Sequence, residues 1–363
     1  MPVFILVALS VYLSGNVYVF IRGWQAVSGL PAGWRIAFCV VFWLLALSFF
    51  SFIKLRDGSL PDTLSHYLYQ VGTGWLAFVL YMAACLLVVD LLKLFHIHYA
   101  YSFYVALALT CCALCYGYWH YRHPVVNRVD IAIGKRIDSP VKQLKVVALS
   151  DLHLGYGTDK AALAAYVRLI NAQKADLILI AGDLVDNSVV PLQKQRMEEE
   201  LSLLQAPLGI YMVPGNHEYI SGIEPCVEFL RRTPVRLLQD SVATLPNGIQ
   251  LVGRDDRSNR ARRPLSSFAA AIDASRPVIL LDHQPYELDE SAAAGIDLQI
   301  SGHTHHGQVW PATLLADRLF ELSHGYLRKG DTHFYVSSGL SLWGPPFRIG
   351  SDSELVVFNL TFD

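Results

Sequence analysis

The sequence predicts a helical transmembrane domain followed by an α/β domain, and three observations carry this prediction. Of the 363 residues, 53% are hydrophobic and only 17% are charged, whereas a soluble chain usually carries about 25% charged residues. Residues 1–120 contain eight acidic or basic side chains, and the rest of the chain has ordinary soluble charge density. In that second part, apolar β-rich runs alternate with helical patterns, which indicates a layered α/β core.

Four stretches in the first 120 residues are long and apolar enough to cross a bilayer, which takes about 20 mostly apolar residues. They lie at residues 3–21, 36–53, 71–92 and 99–119. A signal peptide is the alternative for the first stretch, but no basic segment precedes it. We expect Asp90, the acid deepest within a span, to pair with Lys93. A transporter or channel is the alternative that Asp90 and Asn16 would favour.

Basic residues near the predicted membrane ends bear on the orientation. Four spans place both ends of this domain on one side of the membrane. The basic residues on that side are Lys54, Arg56, Arg122 and Arg128, and those on the other side are Arg22, Arg35 and Lys93. By the positive-inside rule, a count of four to three favours a multi-pass protein of the plasma or inner membrane whose soluble domain is cytoplasmic.

The soluble domain is predicted over residues 144–363, after a basic and polar segment, residues 121–143, that is a linker or an entry strand. Strands are expected at residues 144–149, 177–181, 210–213, 250–253, 278–281, 298–300, 334–337 and 355–359, and helices at 159–173, 192–205 and 224–232. Buried strands that alternate with helices predict an α/β domain with a largely parallel sheet.

Five of these predicted strands end in polar side chains that can bind a metal. The segments are Ser150-Asp151-Leu152-His153, Gly182-Asp183-Leu184-Val185-Asp186, Gly215-Asn216-His217-Glu218, Asp282-His283 and Gly302-His303-Thr304-His305. The carboxyl ends of strands are where α/β sheets build their sites. We therefore expect these side chains to converge along one edge, although each motif alone is more typical of chance or of core packing.

Seven nitrogen and oxygen ligands can be counted in these segments. They are Asp151, His153, Asp183, Asn216, His283, His303 and His305. Seven ligands with one shared carboxylate suit two divalent ions, and imidazole with carboxylate suits Zn, Mn or Fe. A glycine precedes Asp183, Asn216 and His303, and we expect it to let the backbone turn sharply there.

The five motifs together resemble the calcineurin-like metallophosphoesterase superfamily over about residues 144–360. With the four predicted spans, the chain resembles the transmembrane proteins with a metallophosphoesterase domain, a group similar to enzymes that cleave UDP-2,3-diacylglucosamine. The resemblance implies a β-sandwich flanked by helices. It also implies that Asp183 bridges two metal ions.

The resemblance further implies a role for each site residue. Asp151, His153, Asp183 and His305 would hold one metal, and Asp183, Asn216, His283 and His303 the other. His217 would be catalytic rather than a ligand and would stabilise or protonate the leaving oxygen, while Asp186 orients its ring. His306, where glycine is usual in the family motif, is expected to be a neighbour of the site.

The function predicted from these residues is a membrane-anchored phosphohydrolase with two metal ions. A hydroxide held between the ions would attack a phosphodiester or pyrophosphate, and the partners would be the lipid bilayer and a lipid-linked, UDP-2,3-diacylglucosamine-like substrate. Arg254, Arg257 and Arg348 are candidate phosphate contacts, with solvated surface arginines as the alternative. A net charge of −2 argues against nucleic acid as a partner.

Two alternatives remain open from the sequence. The first is a phosphodiesterase for soluble nucleotides or sugar phosphates, and the second is a catalytically silent metal sensor or scaffold. Apolar segments at residues 309–320 and 343–347 either touch the membrane interface beside the site and guide an acyl chain or pack within the protein.

Overall fold

The computed structural model describes residues 2–51, 58–97 and 99–363, and it forms two compact units. The first comprises the chain up to His120 together with Gly344–Ile349, and the second comprises Tyr121–Trp343 with Gly350–Asp363. The first is helical and the second has two mixed sheets with helices, which confirms the predicted fold class.

Among its described residues, the helical unit contains four helices that are long and apolar enough to cross a membrane. They are α1 (Pro2–Ala26), α2 (Ala32–Ser48, continued by a 3₁₀ turn at Phe49–Ser51), α3 (Asp62–Leu94) and α4 (Ser102–Arg122). Helix α3 begins nine residues before the predicted span, directly after Pro61. The predicted end of the second span at residues 52–53, and the basic residues Lys54 and Arg56, lie outside the described residues.

Polar groups within these helices have partners on neighbouring helices. Asn16 is fully buried, and its Oδ1 accepts a 2.8 Å hydrogen bond from the Trp75 indole. The carboxylate of Asp90 accepts from Lys93 at 2.9 Å, as expected, and also from Tyr18 at 2.6 Å. Arg22 pairs with the same carboxylate. These partners give both residues a structural role.

Residues Gly344–Ile349 belong to the helical unit although the chain reaches them more than 200 residues after α4. The amide of Gly344 donates to the Tyr69 hydroxyl at 2.8 Å, and the amide of Arg348 donates to the Gly117 carbonyl at 2.9 Å. A Cβ at Gly117 would lie 2.6 Å from Ile349, so glycine is required there for the close approach.

The α/β unit is built on two six-stranded sheets. The first has the order β1-β12-β2-β3-β4-β5 and consists of β1 (Val125–Ile133), β12 (Glu354–Phe362), β2 (Gln143–Leu149), β3 (Leu177–Ala181), β4 (Ile210–Val213) and β5 (Val235–Leu237). The second has the order β10-β11-β9-β8-β7-β6 and consists of β10 (Gly325–Lys329), β11 (Thr332–Val336), β9 (Leu298–Ser301), β8 (Val278–Leu281), β7 (Gln250–Gly253) and β6 (Ser241–Thr244). Strands β2 to β5 are parallel, as are β7, β8, β9 and β11.

The two sheets pack face to face. Successive side chains of a strand point to opposite sides of its sheet, so each central strand contributes to two cores. Val146 and Ala148 of β2 share one buried core with Ile279 and Leu281 of β8. Residues 147 and 149 of the same strand face helices instead. These helices are α5 (Lys160–Ala172), α6 (Val190–Lys194), α7 (Met197–Leu201) and α9 (Ile223–Leu230). Helix α8 (Asn216–Ser221) precedes α9 in the chain.

Several elements differ from the sequence expectation. Within residues 121–143, the segment Val125–Ile133 forms strand β1 and pairs with β12 along its whole length. The helix expected at 192–205 is divided into α6 and α7, because Arg196 adopts a left-handed conformation (φ 54°). Helices α10 (Leu288–Ala293) and α11 (Ala312–Leu319) and strands β5, β6 and β10 were not expected.

Candidate metal centre

The first group of predicted ligands meets where β2, β3 and β9 end. The Nε2 atom of His153 lies 3.1 Å from Nε2 of His305. It also lies 3.7 Å from Oδ1 of Asp151 and 3.8 Å from Oδ2 of Asp183. Asp151, His153 and His305 offer ligand atoms that lie within 4.8 Å of one another, and all three are buried. This is a donor set that fits a divalent ion.

The second group meets beside it and shares Asp183. Oδ2 of Asp183 lies 3.1 Å from Nε2 of His283. Oδ1 of Asn216 lies 3.2 Å from the same nitrogen and 2.8 Å from Nδ1 of His303. The structure therefore brings all seven predicted ligands together, and Asp183 stands between the two groups.

His217 and Asp186 lie at the border of the first group. Nδ1 of His217 is 2.7 Å from the Asp186 carbonyl oxygen and 3.4 Å from its carboxylate. The rings of His217 and His153 are 4.5 Å apart. His217, His153 and Asp183 also present atoms within 4.8 Å of one another, so position alone allows His217 to act either as a ligand or as an acid.

His306 has its own partners outside the seven ligands. Its Nε2 lies 3.4 Å from Oδ1 of Asp317, and its ring stacks on His324 at 4.9 Å. His324 in turn lies 3.3 Å from the Glu354 carboxylate.

The glycines that precede three ligands serve two different physical needs. Gly182 has φ 88°, the left-handed conformation that glycine adopts without strain. Gly215 is extended (φ −109°), and a Cβ there would lie 2.2 Å from Oδ1 of Asp183. A Cβ at Gly302 would lie 2.4 Å from Asp151. At these two positions, the expectation that glycine allows a sharp turn is wrong. Glycine is required there because a Cβ would collide with the side chain of a predicted ligand.

Five of the predicted ligands have strained backbone conformations. Asp151, His153, Asp183, His303 and His305 all have positive φ, between 45° and 72°. Such conformations cost about 1–3 kcal/mol each and cluster at functional sites. In these conformations the chain turns close to the end of a strand, and the side chains of the five residues meet in one cluster.

Glu218 is a residue of this centre to which the sequence assigned no role. It is 1% exposed, and its Oε2 accepts from the amides of Gly215 at 2.7 Å and Asp183 at 3.0 Å. Its Oε1 accepts from the amide of Val185 at 2.9 Å. One carboxylate therefore fixes the two loops that carry Asp183 and Asn216. Its position directly after Asn216 and His217 was the feature of the sequence that could have indicated a role at the site.

Burial and opposite charge set the protonation of the cluster. Burial lowers the pKa of His153, but hydrogen bonds to Asp151 and Asp186 and the charge of Asp183 outweigh it and raise that pKa to about 10. Burial raises the pKa of Asp183, yet His283, His217 and His153 hold it well below its usual range. The carboxylates of Asp151, Asp183 and Asp186 are thus ionised, and a bound metal would displace imidazole protons.

The three predicted phosphate contacts lie in different surroundings. Arg254 is buried, with Nη1 3.6 Å from Asp282 and 3.5 Å from Glu290. Arg257 has a side chain that is 35% exposed and lies 2.6 Å from Glu287. Arg348 is fully buried and belongs to the helical unit.

Comparison with known proteins identifies the family. Residues 144–307 match the model of the calcineurin-like phosphoesterases. A metallophosphoesterase of Aquifex aeolicus is 31% identical over 227 residues, which cover 60% of this chain and 85% of that protein. The chain belongs to the calcineurin-like phosphoesterase family. This confirms the predicted resemblance to the metallophosphoesterases.

Further relatives agree with this assignment. A metallophosphoesterase of Helicobacter pylori strain J99 is 37% identical over 62% of this chain and 61% of its own. The zebrafish transmembrane protein with metallophosphoesterase domain is 32% identical over 69% of this chain and 61% of its own. The UDP-2,3-diacylglucosamine pyrophosphatase LpxG of Chlamydia trachomatis is 26% identical over 60% of this chain and 84% of its own. The chain thus spans about three-fifths of the length of the Helicobacter and zebrafish relatives.

Proposed function

We propose that this protein is a membrane-anchored phosphohydrolase that uses two divalent ions to cleave a phosphodiester or pyrophosphate bond. The observation that carries the proposal is the position of Asp183 between two ligand groups, one completed by Asp151, His153 and His305 and the other by Asn216, His283 and His303. Two ions placed there would neutralise phosphate oxygens and lower the pKa of a water molecule.

Proton transfer to the leaving oxygen is assigned to His217, with Asp186 as its partner. His217 stands over the first group, and its Nδ1 faces Asp186, so its other ring nitrogen is available to the leaving oxygen. The charge of Asp186 favours the protonated imidazole, which is the form that can donate. Arg257 is the most accessible of the three arginines considered for phosphate contact.

We infer a lipid-linked substrate of the UDP-2,3-diacylglucosamine type. Two observations support it: the four helices long and apolar enough to cross a membrane, and the similarity to LpxG. A membrane anchor shortens the search of an enzyme for a substrate that is itself held in the membrane. The count of basic residues at the membrane ends favours a cytoplasmic catalytic domain in the plasma or inner membrane.

A substrate screen of the detergent-purified full chain tests this function. The protein is stripped with a chelator, reloaded with Mn²⁺, Zn²⁺ or Fe²⁺, and assayed on UDP-2,3-diacylglucosamine and on bis(p-nitrophenyl) phosphate. We expect metal-dependent hydrolysis of both and a higher kcat/KM for the lipid. Equal kcat/KM values would favour a phosphodiesterase for soluble substrates, and no turnover with any metal would overturn the proposal in favour of a metal sensor or scaffold.

A further inference from the structure

An exposed apolar surface follows the last ligand motif of the α/β unit. Helix α11 leaves Leu314, Leu315 and Leu319 57%, 58% and 65% exposed, and Trp310 before it is 51% exposed. Thr313 and Ala316 are buried on the opposite face of the helix. We call Trp310, Leu314, Leu315 and Leu319 the leucine strip. Exposing three leucines on two turns of helix is costly in water, so the strip points to an apolar partner.

The leucine strip ends at the candidate metal centre. Phe320 follows Leu319 directly, and its ring lies 6.2 Å from the ring of the predicted ligand His303. The other side of the Phe320 ring meets Tyr286 at 5.1 Å. An apolar surface therefore runs along α11 to within ring contact of a metal ligand.

The start of the strip packs against Gly350 within the α/β unit. Gly350 is the first residue of the α/β unit after Gly344–Ile349, the segment that packs with the membrane-type helices. A Cβ at Gly350 would lie 3.5 Å from Cβ of Trp310 and 3.5 Å from Cγ2 of Thr313. Gly350 therefore packs against Trp310 and the first turn of α11.

We propose that the leucine strip contacts the interface of the lipid bilayer and so holds the metal centre at the membrane surface. Arg318 lies between the leucines on the same face and is exposed, where its charged end can reach lipid phosphates. A tryptophan beside an amphipathic helix is typical of interfacial segments.

This contact deepens the proposed function, on which its catalytic consequence rests. A phosphate group of a membrane lipid lies at the interface, so a centre held there by α11 meets the scissile bond without lifting the lipid from the bilayer. The contact itself is a physical property of the chain and is measurable without any turnover.

Tryptophan quenching tests the contact directly. The full chain is reconstituted into vesicles of phosphatidylcholine and phosphatidylglycerol, with or without bromine on the acyl chains. The emission of Trp310 is obtained as the difference between wild type and Trp310→Phe. We expect brominated lipid to remove at least half of that emission. Emission that bromine leaves unchanged and that aqueous acrylamide quenches would overturn the proposal.

Activity measurements test the consequence. Replacing both Leu315 and Leu319 with glutamine should lower kcat/KM on lipid-linked substrate in vesicles at least about tenfold, because two apolar side chains leave the bilayer. The rate on bis(p-nitrophenyl) phosphate should stay unchanged. The matched control is Leu203→Gln, at a leucine of the same unit that is 57% exposed.

The outcomes separate this proposal from the proposed function. Equal losses on both substrates, or no loss on either, would overturn the role of the strip. If the wild type hydrolyses neither substrate, the proposed function fails, and the bromine quenching alone decides whether the strip meets the bilayer.

Discussion

At the scale of single residues, we assign metal binding to Asp183 and proton donation to His217, and one variant of each residue tests these roles. Asp183→Asn removes the charge shared by both ligand groups, so bound metal and activity should both be lost. His217→Ala removes the proposed acid and should lower kcat about 100-fold or more while the metal content stays unchanged. Metal content by mass spectrometry and kcat on bis(p-nitrophenyl) phosphate measure the two effects. Equal loss of metal in His217→Ala would make His217 a ligand.

Glu218 gives a second prediction at this scale. A glutamine has one acceptor oxygen fewer, so at least one of the buried amides of Asp183, Val185 and Gly215 would lose its partner. An unmet buried donor costs about 1–3 kcal/mol. Glu218→Gln should therefore lower the free energy of unfolding by that amount and weaken metal binding, as measured by denaturant titration and calorimetry. Glu228→Gln, at an exposed ion pair with Arg231, is the control and should change neither quantity.

The contrast between these residues shows what a sequence reveals about a site. The seven predicted ligands could be selected because each follows a predicted strand, and strand ends converge. The carboxylate of Glu218 accepts hydrogen bonds from backbone amides up to 35 residues earlier in the chain. Every residue except proline has such an amide, so the sequence does not show which ones Glu218 binds. The purpose of Gly215 was hidden for the same reason, since the Asp183 oxygen that excludes a Cβ is a neighbour only in the folded chain.

At the scale of elements, the loop between β4 and α8 should be intolerant of a single methyl group. Gly215→Ala would place a Cβ 2.2 Å from Oδ1 of Asp183, so the loop or the ligand must move. A displacement of about 1 Å at a reaction centre can lower rates about 100-fold, and we expect such a loss in kcat together with weaker metal binding. The control is Gly134→Ala, where the nearest atom would be 3.7 Å away. An unchanged kcat in Gly215→Ala would contradict the geometry.

Strand β12 is anchored at its first residue by a buried carboxylate. Glu354 is fully buried and accepts from the Asn127 amide of β1 at 2.5 Å, the Tyr335 hydroxyl of β11 at 3.0 Å and the Ser338 amide at 2.7 Å. Burial raises the pKa of this carboxyl, but its hydrogen bonds to His324, Ser338 and Asn127 outweigh burial and lower it below the usual 4.5.

This anchor predicts a pH-dependent stability. Because the folded pKa of Glu354 is depressed, the stabilisation is present above about pH 4.5 and is lost as the pH falls through the folded value. Glu354→Gln should lower the free energy of unfolding by about 1.5–3 kcal/mol at pH 7, and the difference from wild type should shrink below pH 4.5. Urea titrations at pH 7 and pH 4 measure it. A constant difference would contradict the role of the charge.

The elements themselves were predictable where hydrophobic pattern alone decides them. Strands β3, β4, β7 and β8 have the expected bounds because each is a short, fully buried apolar run. The break between α6 and α7 depends on one left-handed residue, Arg196. Strand β10 alternates half-buried and exposed residues and is held in the sheet by its pairing with β11. Such features follow from tertiary packing, which local sequence does not encode.

At the scale of the whole molecule, the division of charge along the chain predicted an apolar helical part and a soluble α/β part. It did not predict that Gly344–Ile349 would belong to the helical unit. That segment is apolar and rich in proline and glycine, a composition that an ordinary surface loop shares. Its partners Tyr69 and Gly117 are more than 200 residues away, so only the fold shows the association.

Metal binding should stabilise the α/β unit against unfolding, and this stabilisation should be measurable on the full chain. The predicted ligands follow five strands in two sheets, so an ion that binds them would favour only the folded state. At a metal concentration 100 times the dissociation constant, this linkage amounts to about 2.7 kcal/mol for one site. The detergent-solubilised full chain should unfold at a higher temperature with Mn²⁺ than with a chelator, and Asp183→Asn should abolish that difference. An equal shift in Asp183→Asn would place the stabilising metal elsewhere, because Asp183 lies between the two groups, with Oδ2 3.8 Å from Nε2 of His153 and 3.1 Å from Nε2 of His283.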